Sequence, residues 1–196
     1  MTSSFKAFFW NARGVANPAT QRYIAQLCRT HHPHIVCIAE PWTWTHLVQD
    51  FWSALGLKLL AVNNRDNLAP NLWFFCAAHI SATLISSSAQ QVSVSLMIQN
   101  TPCLFSAIYA STAVFSRRQL WRDLQLLNFQ GPWCCIGDFN AVLGAHEKVG
   151  GRPPPLFHAR IFCPLQMMRI FSIFLRLALS LLGPMVVVVV IVFSSV

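Results

Sequence analysis

The sequence predicts an α+β protein, a two-layer β-sandwich flanked by helices. Two observations lead there. Many short apolar runs of strand length are interleaved with a few stretches whose apolar residues recur at helical spacing. One run, Gln91–Ile98, alternates strictly through Val92, Val94, Leu96 and Ile98, which predicts a strand with one buried and one wetter face. The pattern over the middle of the chain reads as a meander rather than a parallel repeat.

Taken in order, Phe5–Trp10 is aromatic and apolar, a buried strand running into Asn11. Pro18 marks a helix start, and Tyr23, Ile24, Leu27 and Cys28 put an apolar stripe on a helix over Ala19–Thr30, which Pro33 closes. His34–Ala39 is a second buried strand delivering Glu40 at its end. Thr45–Leu55 is a further helix, and Lys58–Asn63, Asn71–Cys76, Ile80–Ile85 and Gln91–Ile98 are strands. Pro102–Tyr109 is another strand. Ser116–Leu127 is a helix with Leu120, Leu124 and Leu127 on one stripe and Arg117, Arg118 and Arg122 elsewhere. Trp133–Ile136 is a strand ending at Gly137-Asp138-Phe139-Asn140. No internal repeat is visible.

At 196 residues, 55% hydrophobic and 10% charged, the chain has material for one sizeable core and lacks the composition of a disordered protein. Its net charge of +8 favours a polyanionic partner, nucleic acid or an anionic membrane surface, without choosing between them. The surplus is divided unevenly: residues 1–155 carry 11 basic and all 6 acidic side chains, whereas residues 156–196 carry three arginines and no acid. The 7 cysteines show no zinc-site spacing and read as reduced core thiols. Residues 1–6 lack a signal-peptide pattern, which fits a nuclear or cytoplasmic protein if it is soluble.

Asn11, Glu40 and Asp138 share a context: each stands just past an apolar strand, where rigid scaffolds present reactive groups. Glu40 has the hard oxygens that suit Mg²⁺, which takes one or two carboxylates with waters and substrate phosphate. Asp138 is placed to orient or deprotonate a water, and Asn140, two residues on in an extended stretch, to hold that water or a phosphate oxygen. Tyr109 ends a strand and offers a phenol to charge developing on phosphorus. Each has a plainer reading: Glu40 as a solvated turn residue, Gly-Asp-Phe-Asn as a turn whose Asp and Asn cap backbone groups, Tyr109 as core.

The order of these groups adds to them singly. Trp10-Asn11-Ala12-Arg13-Gly14, Ile38-Ala39-Glu40-Pro41, Ile108-Tyr109-Ala110-Ser111 with Arg117-Arg118 and Leu120-Trp121 downstream, and Gly137-Asp138-Phe139-Asn140 resemble the endonuclease/exonuclease/phosphatase superfamily. Ala141-Val142-Leu143, Glu147-Lys148 and Gly150-Gly151-Arg152-Pro153 resemble the endonuclease domain of plant non-LTR (LINE-type) retrotransposons. The resemblance covers residues 5–155 and implies a DNase I-like fold, incomplete at the C-terminus. It implies hydrolytic nicking of DNA, with Asn11 and Glu40 at a Mg²⁺ site, Tyr109 on the scissile phosphate, and Asp138 with Asn140 placing the attacking water. Arg13, Arg117 and Arg118 would touch backbone phosphates, although the last two also read as solvated helix-face arginines. No small-molecule cofactor is evident.

The chain departs from the family in two respects. Ala12 stands where the family usually has Cys. The late Ser-Asp-His motif is missing: no Asp follows Asp138, and the later histidines are His146 and His158. An inactive fragment is the expectation.

From Leu156 the resemblance stops and the chain turns to Phe, Leu, Ile and the run Val186–Val190. Leu177–Val196 is 20 residues without a charge, about the length of a membrane span. Read one nucleotide out of register, however, the codons of Met185–Val186 must give glycine, and Leu182 onward permits Trp-Ser-Asn-Gly-Arg-Arg-Gly, as expected of the family. Met167-Met168 likewise forces an aspartate, and His158–Phe162 permits Ser-Cys-Glu-Asp-Phe. The tail, residues 156–196, is therefore expected to be out-of-frame translation lying outside the nuclease fold. The competing readings are a membrane-anchored protein with a nuclease-like binding module, and a small-molecule phosphodiesterase or phosphatase of the same superfamily.

Overall fold

The computed structural model describes residues 4–140 and 186–192. In chain order the elements are β1 (Ser4–Asn11), α1 (Pro18–His31), β2 (Ile35–Ala39), a 3₁₀ turn (Thr45–Val48) running into α2 (Gln49–Ala54), β3 (Leu57–Val62) and β4 (Leu72–Ala77). There follow β5 (Ala82–Ser88), β6 (Gln91–Ile98), β7 (Thr101–Tyr109), α3 (Val114–Leu126), β8 (Trp133–Asp138) and β9 (Val186–Val192). They form two sheets, in the orders β3-β4-β2-β1-β9 and β5-β6-β7-β8.

Burial follows the two-residue repeat of the strands. Phe5, Ala7, Phe9, Ile35, Cys37, Leu72 and Phe74 of the first sheet pack against Val92, Val94, Leu96, Phe105 and Ala107 of the second. The alternate residues of the first sheet, Phe8, Val36, Ile38, Trp73 and Phe75, pack under Ile24, Leu27 and Cys28 of α1 and Trp52 of α2. The outer face of the second sheet is covered by Leu120, Trp121 and Leu124 of α3 against Ile108. The α+β sandwich flanked by helices is thus as expected, and β2 and β4 are buried throughout because apolar layers lie on both their faces.

Helix α1 begins where Asn17 Oδ1 accepts from the Ala19 amide at 2.8 Å with Pro18 in the first turn, and ends at His32 with φ 47°. Tyr23, expected on its buried stripe, is 50% exposed; Ile24, Leu27 and Cys28 suffice to seat the helix.

The meander expected in mid-chain holds for β5, β6 and β7, which pair antiparallel. The flanking pairs differ: β1 with β2 and β7 with β8 are parallel. Parallel neighbours need a crossover, and α1 and α3 supply it. The wetter face expected of β6 holds for half its length: Met97 is exposed and Ser95 half-buried, whereas Gln91 and Ser93 are fully buried. The Ser93 hydroxyl lies 2.6 Å from both Gln91 Oε1 and Ser106 Oγ, and Trp133 Nε1 donates to Ser106 Oγ at 2.9 Å, so the buried part of this polar row is satisfied internally.

Val186–Val192, expected outside the fold, runs antiparallel to β1 from Ser4 to Trp10 as the fifth strand of the first sheet. Without it β1 would be an open edge, and a β-branched run is what such an edge recruits. Among the described residues no helix is long and apolar enough to cross a membrane, and most of the candidate span Leu177–Val196 lies outside them. Cys28, Cys37, Cys76, Cys103, Cys134 and Cys135 are free, and Cys163 lies outside the described residues. Burial pushes the Cys28 and Cys134 thiols up to about 12, as expected of reduced core residues.

One glycine is dictated by the parallel pairing of β7 with β8. Gly137, opposite Ile108, has φ 153°, and a Cβ there would lie 1.9 Å from the Ile108 carbonyl oxygen. Gly137→Ala is expected to lower stability by roughly 3 kcal/mol or more. Gly56→Ala meets no atom within 4 Å and carries only the strain of φ 70°, so it should cost roughly 1–2 kcal/mol. Urea midpoints of the two variants check the contrast, and equal losses would contradict it.

Candidate active site

The two parallel pairs each bring two strand ends to one edge. In the first sheet Asn11 is in register with Ala39, which sets its side chain beside Glu40. In the second, Tyr109 is in register with Asp138. The two edges meet at the Glu40 carboxylate. Asn11 Nδ2 donates to Glu40 Oε1 at 2.7 Å, and the Tyr109 hydroxyl, from the other sheet, donates to the same oxygen at 2.5 Å.

Glu40 is itself held in an unusual backbone state, φ 50°, which a non-glycine residue adopts at a cost. The surrounding backbone fixes it: its amide donates to Asn71 O, its carbonyl accepts from Gly14 N, and the Pro41 carbonyl accepts from Val15 N, at 2.9, 2.9 and 2.8 Å. Glu40 is half-buried at this turn. Tyr109 is half-buried too, packed against the core with its hydroxyl on Glu40.

Asn11 is 7% exposed, and its bond to Glu40 Oε1 uses Nδ2, which leaves Oδ1 as its free acceptor. That oxygen is buried without a hydrogen-bond partner. A buried unpaired amide oxygen next to a carboxylate is a donor set that fits a hard cation completed by water and phosphate. Among the described residues no group of three or more His, Cys, Asp or Glu side chains is placed to hold a metal ion.

Asp138 and Asn140 follow both of their readings in part. The strand ends at Asp138, and Asn140 is in the left-handed region at φ 45°, not extended as expected. Asp138 Oδ1 accepts from the Asn140 amide at 2.9 Å, and Asn140 Nδ2 donates to Ala110 O at 2.6 Å. These bonds make a capped turn, which locks the pair against the end of β7. Asp138 nonetheless bears on the site electrostatically. The Tyr109 hydroxyl is pushed well above the usual phenol range, chiefly by burial, then by its bond to Glu40 and the negative charges of Glu40 and Asp138, with Arg13 opposing. Tyr109 therefore feels all three charged groups, and it stays a protonated donor at neutral pH.

The three candidate arginines part company. Arg13 is exposed, on the loop joined to Glu40 by the Gly14 bond. Arg117, expected on the surface, is corrected: it is 4% exposed, and its Nη1 donates to the carbonyls of Ser111 and Thr112 at 2.8 Å each. It anchors the loop between β7 and α3 and is not free for a phosphate. Arg118 is exposed, with its guanidinium carbon 4.9 Å from the Phe115 ring centroid.

Sequence reasoning passed over Asn63. It is 1% exposed; its Oδ1 accepts from the amides of Asn71 and Leu72, and its Nδ2 donates to Asn71 Oδ1 and Ala89 O. Because Asn71 in turn receives the Glu40 amide, Asn63 positions the carboxylate through one intermediate residue. In the sequence, Asn63 reads only as the last residue of the strand Lys58–Asn63.

The raised Tyr109 ionisation has a definite sign. A phenol with a raised folded-state value stabilises the fold in full below its ordinary value of about 10 and loses that contribution as pH climbs toward the folded value. The absorbance difference between the protein and Tyr109→Phe should show phenolate only above the usual range, and Glu40→Gln, which removes a negative charge, should bring it down. A Tyr109 that ionises like a free phenol would contradict the Glu40 contact.

Comparison with known proteins completes the picture. The profile of the Endonuclease/Exonuclease/phosphatase family matches residues 8–179, running past Pro155 into the segment set apart as a tail. No curated protein sequence matches the chain. Among solved structures, the endonuclease domain of TRAS1, a telomere-specific non-LTR retrotransposon, is similar with a TM-score of 0.62 at 11% identity, over 83% of this chain and 71% of that one. A humanized D. rerio TDP2 is similar at 0.52 and 11% identity, over 71% and 67%, and the AP endonuclease LMAP from Leishmania major at 0.54 and 10%, over 76% and 59%. Identities this low bear on the fold alone. With the profile spanning most of the sequence, the chain belongs to the endonuclease/exonuclease/phosphatase family.

Proposed function

We propose that this chain carries the front part of a Mg²⁺-dependent DNA endonuclease of a LINE-type retrotransposon, and that the 196-residue chain by itself does not nick DNA. The observation that supports the chemistry is the convergence of Asn11, Glu40 and Tyr109, from two sheets, on one carboxylate oxygen beside the Asp138 turn. Glu40 and the Asn11 amide oxygen would hold the cation. When bound, Mg²⁺ supplies charge neutralisation at the phosphate oxygens. With the cation on Glu40, the Tyr109 hydroxyl would turn its one proton from that carboxylate to a phosphate oxygen where charge develops, Asp138 would orient the attacking water, and Arg13 would meet the adjoining backbone phosphate.

The DNA substrate and the retrotransposon origin draw on the Gly150-Gly151-Arg152-Pro153 region and on the likeness to the TRAS1 endonuclease domain. Inactivity draws on the sequence after Asp138, which has no further Asp and no Ser-Asp-His to complete the site. For the tail, we infer an out-of-frame origin, the pairing of Val186–Val192 with β1 being what an apolar β-prone run does at a free edge whatever its history.

Purified chain with Mg²⁺ should convert supercoiled plasmid to the nicked form no faster than with EDTA. Mg²⁺-dependent nicking that Glu40→Ala abolishes would show a complete site and overturn the proposed inactivity. The transcript and locus across the codons for Gly150 to Val196 should read, in the neighbouring frame, into Trp-Ser-Asn-Gly and a later Ser-Asp-His. A neighbouring frame that soon stops would establish the tail as the chain's own.

A further inference from the structure

Two residues beyond Glu40, Trp42 turns a large apolar side chain to solvent: it is 69% exposed, and Trp44 after it is 53% exposed. Exposure of one indole needs no explanation by itself. Its backbone does, because Trp42 has φ 50°, a left-handed state that costs a bulky residue free energy and persists only where the surroundings impose it.

The surroundings are the rim of the site. Arg13-Gly14-Val15 and Glu40-Pro41-Trp42 are stitched together by the bonds from Gly14 N to Glu40 O and from Val15 N to Pro41 O. Gly14, at φ 106°, lies beside the ring, where a Cβ would be in ordinary contact, 3.5 Å from Trp42 Cε3. The rim thus carries an exposed cation, Arg13, and an exposed aromatic ring, Trp42, on two loops that are bonded to each other at the backbone of Glu40 and Pro41.

A ring with π-faces beside a cation and a phosphodiester site matches one ligand chemistry, a nucleotide whose phosphate meets the cation and whose base stacks on the ring. A base inside a duplex has no free face to offer. We propose that Trp42 is a stacking platform for an unpaired nucleobase next to the scissile phosphate, so that the substrate class is DNA with a base unstacked at that point. This deepens the nucleic-acid reading above and rests on it. Trp42 is then a positioning residue for the strand, and the positive charge of the chain, +8, draws in the backbone without regard to sequence.

The test is binding of the full chain, without Mg²⁺, to a fluorescein-labelled single-stranded oligonucleotide and to an abasic strand of the same length, read by anisotropy. The base-bearing strand should bind more tightly by roughly 5- to 100-fold. Trp42→Ala should erase that preference while leaving abasic binding unchanged, and Trp42→Phe should keep most of it. Equal binding of the two strands by the unaltered protein, or a preference that survives in Trp42→Ala, overturns the proposal and leaves the nucleic-acid reading standing. Binding of neither strand overturns both.

Discussion

A single carboxylate oxygen, Glu40 Oε1, receives hydrogen bonds from both sheets of the sandwich, from Asn11 on one and Tyr109 on the other. Between the sheets the space is apolar, filled by Phe9, Phe74, Phe105 and their neighbours, and polar side chains could not meet there without a large desolvation cost. Only at the edge, where the strands run out, can groups from both sheets converge within reach of solvent. The relative placement of the sheets and the geometry of the site are therefore one constraint. A shift of one sheet over the other breaks the Tyr109 bond before it opens the core.

The constraint works because both pairs of site strands are parallel. An antiparallel neighbour of β1 would carry its C-terminal end to the far side of the sandwich, whereas a parallel β2 leaves Glu40 beside Asn11, and a parallel β8 leaves Asp138 beside Tyr109. The crossover helices α1 and α3 are thus part of the site's architecture, and each is anchored by the core rather than by its own polar face. Arg117 serves this arrangement by tying the start of α3 to the carbonyls just beyond β7.

Strands and helices were legible in the sequence because apolar periodicity is a local property. Glu40, Asn11, Asp138 and Tyr109 were legible as strand-end groups, but nothing local says which ends meet, and the parallel pairings depend on contacts distant in the chain. Asn140 was misjudged for the same reason, giving up extended geometry to bond Ala110, thirty residues earlier in the chain. Arg117 was misjudged on a local ground, because its side chain folds back on carbonyls five and six residues before it, where helical spacing places it on the surface. Asn63 was read only as the end of a strand, since a buried amide with four hydrogen bonds has the same letter as an exposed one. Val186–Val192 shows the converse, a segment whose β-propensity was plain but whose partner, the free edge of β1, was not.

Of the nine non-glycine residues with positive φ among those described, four, Arg13, Glu40, Trp42 and Asn140, sit just past the C-terminal ends of the parallel strands or on the loops bonded to them. Each departure costs of order 1 kcal/mol. The cost is borne because the strands behind these residues bury Trp73, Phe74, Phe75, Phe8 and Phe9 almost completely, so relaxing any one rim residue would pull on strands that have no room to move. The stiff core thus selects the strained rim, which carries the carboxylate, the cation and the indole on loops bonded to each other. A loop free to relax would have buried Trp42 against the nearest apolar surface; its exposure follows from the stiffness of what lies beneath it.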